Sequence, residues 1–334
     1  RTVIGVLREE GRVSGVETRT SEGETAQIHA RLVVGADGRN SEVAKLAGVG
    51  ARIIKKHQRA GYYAFFKNVQ FPHPRRAHLW MLEPDVAFAF PHDNGFSILA
   101  VMFGRERVPE FKTDIQGNFL AMLRSVPEFA RFGPADQATK VIGLVDYKNQ
   151  WRHRPPPGLA FVGDAAISAD PLFGIGCGWA LQEAEWLTDA TAGTFGADAD
   201  LNKAVDRYCD PLRAKLAGHF FLISDYSTGR KFNPIEKLTF SSAARDPEAA
   251  HLLAEFGARL IPPTRLLAPH SIGHALKVNL GPAGKAGAAT TKRNAEVLRQ
   301  RSSAAGFGPA LASQLAPLPA PQSGTAKAKS ELEA

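Results

Sequence analysis

The chain has 334 residues, 44% hydrophobic and 22% charged, with a formal net charge of +8 from 41 Lys and Arg against 33 Asp and Glu. That is ordinary globular composition, rich enough in apolar side chains for one large or two modest cores. The charge is scattered along the chain, which argues for a solvated surface and against a nucleic-acid-binding face, and no run reaches the ~18 apolar residues of a membrane-spanning helix.

Two cysteines, Cys177 and Cys209, without a CxxC spacing or paired histidines, give neither a disulfide framework nor a metal site. With no signal-peptide pattern, a cytoplasmic location is expected. Arg1 already lies in a strand-like run, so the reading expects a segment upstream of it.

Residues 1–36 read as a meander. Val3–Leu7 is a first strand, Glu10-Gly11 a turn, and Val13 and Val16 belong to a second strand. A third strand climbs through Ile28 and Ala30 into Leu32-Val33-Val34, whose unbroken apolar run predicts burial on both faces. Gly35-Ala36-Asp37-Gly38 ends it, and Asn40 or Ser41 caps a helix that stops at Gly48.

Residues 57–105 carry alternating aromatic runs that predict an antiparallel sheet, with a hairpin at Pro91-His92-Asp93-Asn94-Gly95. Residues 112–124 have helical period, with Ile115, Phe119, Met122 and Leu123 in register. Val141–Tyr147 resumes a strand, and Leu159–Val162 is a short buried one. The Gly-rich stretch 163–178 leads into a helix over 179–192 with Leu181, Ala184 and Leu187 inward. A long helix spans 199–223, further helices run to about 280, and 281–334 is low-complexity and expected to be disordered.

Two strand–turn–helix units carry the chemistry. In an open α/β sheet, ligands sit beyond the carboxyl ends of strands. Glycines let the backbone approach a flat or phosphorylated ligand, aspartate accepts from hydroxyl groups, and a helix N-terminus suits an anion. The first unit, Val33-Val34-Gly35-Ala36-Asp37-Gly38, is by itself a modest signal, since a strand ending in Asp-Gly is usually a turn. The second is more specific: Gly163-Asp164-Ala165-Ala166, then Pro171 fixing a turn, then Gly174, Gly176 and Gly178 alternating before the helix.

Together these units resemble the downstream cofactor motifs of FAD-dependent monooxygenases of the para-hydroxybenzoate hydroxylase type, in order and spacing over residues 1–192. The resemblance implies a Rossmann-like FAD-binding domain, split into residues 1–50 and 151–192 and lacking its N-terminal part. It also implies an antiparallel substrate-side sheet over 51–150 and a helical C-terminal region over 193–280. It places Asp37, Gly38, Gly163, Asp164, Pro171, Gly174, Gly176, Cys177 and Gly178 at the FAD. Asp37 and Gly38 would also serve the nicotinamide coenzyme, Asp164 would bond the ribityl chain, and the helix near Gly178 would face the flavin. Cys177 reads as a small inert residue in a tight loop rather than a reactive thiol. Tyr62, Tyr63, His78, Trp80 and His92 read as sheet packing rather than a substrate pocket.

The implied activity is hydroxylation or epoxidation of an apolar or aromatic small molecule, with NAD(P)H as electron donor and O2 consumed through a flavin hydroperoxide. No catalytic acid or base is evident. The chain departs from the family pattern: Ile167 replaces a His, Gly178 an Asn, and Glu183 the helical Asp. The run Asp170-Pro171-Leu172-Phe173 resembles instead the related flavin-dependent halogenases and geranylgeranyl reductases, which stand as the alternative. A further alternative is an inactive fragment that does not hold FAD, because the GxGxxG fingerprint is absent from this sequence.

Overall fold

The computed structural model describes residues 1–56, 58–71, 76–126, 129–132 and 135–281. The expected tail therefore lies, apart from Gly281, outside the described residues.

The chain begins with strands β1 (Thr2–Glu9), β2 (Arg12–Arg19), β3 (Thr25–His29) and β4 (Val33–Gly35), then helix α1 (Glu42–Leu46). Strands β5 (Ala51–Lys56), β6 (Arg59–Lys67), β7 (His78–Met81), β8 (Val86–Pro91) and β9 (Phe96–Gly104) follow. Helices α2 (Val108–Phe111) and α3 (Ile115–Ser125) precede β10 (Asp136–Gln137), β11 (Ile142–Leu144), β12 (Lys148–Arg152), β13 (Leu159–Phe161) and β14 (Ile167–Ser168). Helices α4 (Gly176–Thr191), α5 (Asp198–Tyr226), α6 (Pro234–Ala243), α7 (Pro247–Gly257), α8 (Pro263–Leu266) and α9 (Pro269–Leu280) complete the fold. The mixed α/β class expected from the sequence is the one observed.

Residues 1–57 and 146–228 form one compact unit. Its meander is the antiparallel sheet β1-β2-β3, with Val6 opposite Val16 and Val16 opposite Ile28. The expected third strand is in fact two: β3 stays in the meander, whereas β4 turns away and pairs parallel with β13. Val34 is 44% exposed, which corrects the expectation of two buried faces. Among the described residues β4 has a strand partner on one side only, so one edge of it stays open.

Phe161 and Gly35 are register partners, and a Cβ on Gly35 would lie 2.6 Å from the Phe161 ring. Only glycine lets the strand pair close over that ring. A third sheet, β14-β12-β5, is antiparallel. The core of this unit gathers Val13, Val43, Leu159, Phe161, Ile167, Trp179, Leu187, Tyr208 and Phe220.

Helix α4 starts at Gly176, earlier than expected, and its buried residues are Trp179, Glu183, Leu187 and Thr191. Leu181 is 74% exposed, and Ala184 is exposed as well. The inward face is rotated from the expected one because a buried hydrogen bond by Glu183 fixes it, and an apolar count leaves Glu183 out. Strand β5 and helix α5 also fall in this unit, whereas the sequence reading placed them in the substrate-side sheet and the C-terminal region. Strand β5 pairs with β12 and α5 packs on α4, and these pairings set the edges.

Residues 58–145 and 229–281 belong to a second unit. Its sheet runs β10-β6-β9-β8-β7, with β11 also on β6. The β8–β9 hairpin turns at Asn94 and Gly95, both with positive φ (56° and 73°), as the Asn-Gly signal anticipates. One face of the sheet packs Tyr62, Phe66, Phe103, Phe111, Phe119 and Leu123. Ile115, expected in the apolar register of α3, is 36% exposed because it opens the helix beside its cap Asp114. Helix α6 begins with a capping box of Asn233 and Glu236, and Asp246 caps α7.

Candidate functional site

The parallel pair β4/β13 explains how two distant motifs meet. Val33 faces Leu159 and Gly35 faces Phe161 across the pair, so the two turns leave the same end of both strands. Asp37 and Gly38 thus emerge beside Gly163 and Asp164. The Val162 N–H continues the ladder to the Gly35 carbonyl at 3.1 Å.

Arg152, on β12, joins the turns. It is 9% exposed, and its guanidinium donates to the Ala165 carbonyl at 2.6 Å and to the Arg39 carbonyl at 3.0 Å. Gln150 donates to the Arg39 carbonyl as well. Burial lowers the Arg152 pKa, and the nearby Asp37 charge opposes that shift. The sequence reading missed both residues, since no local pattern marks a side chain that bonds two turns far away in the chain.

The first turn closes on itself. Asp37 accepts from the Ser41 hydroxyl at 2.6 Å and from the Val43 N–H at 3.0 Å, and Ser41 accepts from the Ala44 N–H at 3.0 Å. Burial alone would raise the Asp37 carboxyl, but the bonds from Ser41 and Val43 outweigh it and hold the group below its ordinary value. The N-terminus of α1 is therefore filled by its own side chains. Gly38 turns the chain with φ of 78°.

The second turn is open. The carboxylate of Asp164 accepts no hydrogen bond from a described residue. Its surroundings raise its pKa by desolvation, and Arg39 draws it part of the way back. Pro171 lies in a turn capped by Asp170, whose carboxylate accepts from the Leu172 N–H at 2.8 Å. Asp170 is fully buried, and its own N–H donates to Asn149. Gly174 then reverses the chain with φ of 60°.

Helix α4 starts with no side-chain cap: Ile175 holds that position, and its side chain accepts no hydrogen bond. A Cβ on Gly174 or Gly178 would meet no atom within 4 Å, and one on Gly176 would sit at an ordinary 3.7 Å from Asp164 Oδ1. The packing of the chain itself therefore does not require Gly176 or Gly178. Cys177 is exposed between them, while Cys209 is buried.

Glu183 lies two turns into α4, fully buried. Its Oε2 accepts from the Gly163 N–H at 2.6 Å, and its Oε1 is buried with no partner. Burial pushes this carboxyl up to about 8; the Gly163 N–H opposes the shift and the Asp164 charge adds to it. The hydroxyl of Tyr208 donates to the Phe161 carbonyl at 2.8 Å.

Other groups serve packing. The rings of His78, Trp80 and Phe132 lie 5.0–5.9 Å apart, His78 stacked on Trp80 and Phe132 edge-on to both, and Tyr62 lies 4.4 Å from Phe111. An open cleft of about 440 Å³ is lined by Arg8, Gly48 and Arg154, away from both turns. Its cations are taken, Arg8 by the Ala47 carbonyl and Arg154 by Asp206 and Asp210. Asp246, Glu248 and His274 bring three ligand atoms within 4.8 Å, a grouping that sequence spacing did not reveal. Asp246 there already caps α7 and bonds His274 at 2.8 Å.

An uncapped helix start behind bare backbone, beside a free aspartate and beyond a parallel strand pair, is the arrangement of a cofactor-binding domain, and the chain belongs to the family of FAD binding domains, whose model matches residues 1–208. It is similar to digeranylgeranylglycerophospholipid reductase 1 of Methanococcoides burtonii, at 25% identity over 225 residues, 62% of this chain and 49% of the relative. The chain thus spans about half the length of that curated relative. In fold it is similar to the flavin-dependent brominase Bmp2, with a TM-score of 0.64 at 17% identity over 77% of this chain and 64% of the other. It is also similar to the anhydrotetracycline hydroxylase OxyS of Streptomyces rimosus, with a TM-score of 0.53 at 20% identity over 77% and 51%. The FAD-binding domain expected from the sequence is the one the family model gives.

Proposed function

We propose that this chain supplies the flavin-side half of an FAD-dependent oxidoreductase, and that the whole protein is a monooxygenase acting on an apolar or aromatic small molecule. The observation that carries the reading is the open N-terminus of α4. Unpaired N–H groups and the helix dipole there favour negative charge. The backbone of Gly174, Gly176, Cys177 and Gly178 offers a flat, unobstructed surface, and no described residue donates a hydrogen bond to Asp164.

These residues fit FAD. The backbone of 174–178 would hold the ring system, and Asp164 would accept from a ribityl hydroxyl. Gly163, Pro171 and Gly38 would shape the turns around it. Asp37 would act at one remove, by closing the first turn. When bound, FAD supplies the redox chemistry, taking a hydride from NAD(P)H and passing electrons to O2. The chain orients that group and aims the α4 dipole where negative charge grows on reduction. The buried Trp179 keeps water from beneath the loop.

A second reading, a reductase or halogenase, rests on the Asp170-Pro171-Leu172-Phe173 run and on the names of the reductase and brominase to which the chain is similar. One experiment separates them: the full-length protein is mixed with NAD(P)H in air. Bleaching of the flavin followed by reoxidation, with a hydroxylated or epoxidised product, is the expected result. Bleaching by the coenzyme without oxygen incorporation favours the reductase. Flavin that no coenzyme bleaches favours a halogenase fed by a separate reductase. Purified protein without flavin defeats the FAD reading altogether.

A further inference from the structure

Below the open loop lies a group that the proposed chemistry leaves unused. Glu183 is completely buried on the inner face of α4, and among the described residues the one hydrogen bond it accepts comes from Gly163. Gly163 needs that anchor. Its φ is 61°, a Cβ there would come within 3.2 Å of Ala180, and the next residue is Asp164. The anchor thus sets both the turn and the direction in which Asp164 leaves it.

Among the described residues the second oxygen of Glu183 is buried with no partner, and one turn earlier on the same face the indole N–H of Trp179 is equally unpaired. No cation among the described residues pairs with Glu183. The titratable groups in electrostatic contact with it are Asp164 on the turn and Tyr208 on α5, where Cys209 adjoins Tyr208. Arg39 acts on Asp164.

A fully buried carboxylate with one hydrogen bond and no counter-ion is an expensive arrangement, whereas a neutral acid in the same place is not. An ionised Glu183 would also add a second negative charge behind the turn that presents Asp164 to an anionic ligand.

We propose that Glu183 is a positioning residue that works as a neutral acid, holding Gly163 through Oε2 with its proton on Oε1, and that loss of this proton weakens binding of the anionic cofactor at the loop above. The inference rests on the FAD reading for its second half alone. The first half concerns the protein itself. The upward displacement of the carboxyl to about 8 agrees with the geometry and places the transition at mildly alkaline pH.

The test has two arms on the full chain. In the first, the infrared band of protonated carboxyl groups is followed from neutral to alkaline pH, wild type minus Glu183→Gln. In the second, FAD affinity is measured by flavin fluorescence over the same range. The expected result is a protonated band at neutral pH that is absent from the variant. Wild-type affinity is expected to fall about tenfold as the band disappears. Glu183→Gln, which keeps the acceptor and stays neutral, should bind with wild-type affinity at neutral pH and remain flat. Glu183→Ala should bind weakly at every pH.

Absence of the band at neutral pH overturns the inference. So does an equal alkaline loss of affinity in wild type and Glu183→Gln. If the band is present and wild type binds no FAD at any pH, the neutral acid stands, and the FAD reading and the linkage built on it fall together.

Discussion

The two strand–turn–helix units, residues 33–46 and 159–191, have the same outline and opposite chemistry. Each follows a strand of one parallel pair, and each bends through a glycine and an aspartate into a helix. In the first, Asp37 and Ser41 cover the helix N-terminus, and the ends of that motif are spent on the protein. In the second, no side chain covers the start of α4, no described residue donates a hydrogen bond to Asp164, and Gly174 and Gly178 face open space. A Gly-Asp signal therefore says nothing about ligand binding until the bonds of the aspartate are known. In the proposed function, the unit that leaves its helix end without a side-chain cap is the one that receives the cofactor.

The largest effect expected from this contrast concerns Glu183, which holds the open unit in shape. Its folded-state pKa, about 8, lies above the ordinary 4.5. The stability it contributes is complete below 4.5 and is lost as pH rises through about 8. Within that window the wild type should lose about 1.4 kcal/mol per pH unit relative to Glu183→Gln, read from denaturant midpoints. Parallel pH curves for the two proteins would show the buried acid to be ionised throughout.

Next come the glycines of the open unit. Gly178→Ala meets no atom of the protein and adds helix propensity, so the melting temperature should hold or rise, by up to about 1 kcal/mol of stability. FAD affinity should nevertheless fall roughly tenfold, about 1.4 kcal/mol. A variant with unchanged affinity would break the comparison, since the bare surface would then serve no ligand.

The closed unit should respond in the opposite sense. Ser41→Ala removes a helix cap and should cost about 1 kcal/mol in stability. FAD affinity, measured by fluorescence titration, should stay within about twofold, well under the 1.4 kcal/mol that marks a tenfold change.

The smallest effect is kinetic. A thiol reagent should modify exposed Cys177 quickly and buried Cys209 slowly, and saturating FAD should slow the Cys177 phase several-fold. An unchanged rate would place the ligand elsewhere than along residues 174–178.

Much of this was legible in the sequence where local chemistry decides the structure. The Asn94-Gly95 turn, the Ser41 cap and the strand Leu159–Phe161 each follow from residues a few positions apart. The inward face of α4 was not legible, because Glu183 counts as a solvent residue until its bond to Gly163 is seen, twenty residues back. Counting apolar positions selected Leu181 and Ala184, both of which face water. The split between β3 and β4 was equally hidden, since the choice of β13 as partner for β4 is made from more than a hundred residues away. Arg152 and Gln150 escaped for the same reason: their targets are backbone carbonyls, which leave no trace in a residue pattern. The two turns were legible as glycines and aspartates, but which aspartate would lack a hydrogen-bond donor among the described residues was not.

The fork of Arg152 has a mechanical consequence. One guanidinium clasps the main chain of both turns, so neither can swing outward without tearing a charge-assisted bond from the other. The two turns are hinged shut as a pair, and amide protons in residues 39–41 and 165–167 should exchange with solvent in a common opening event rather than independently.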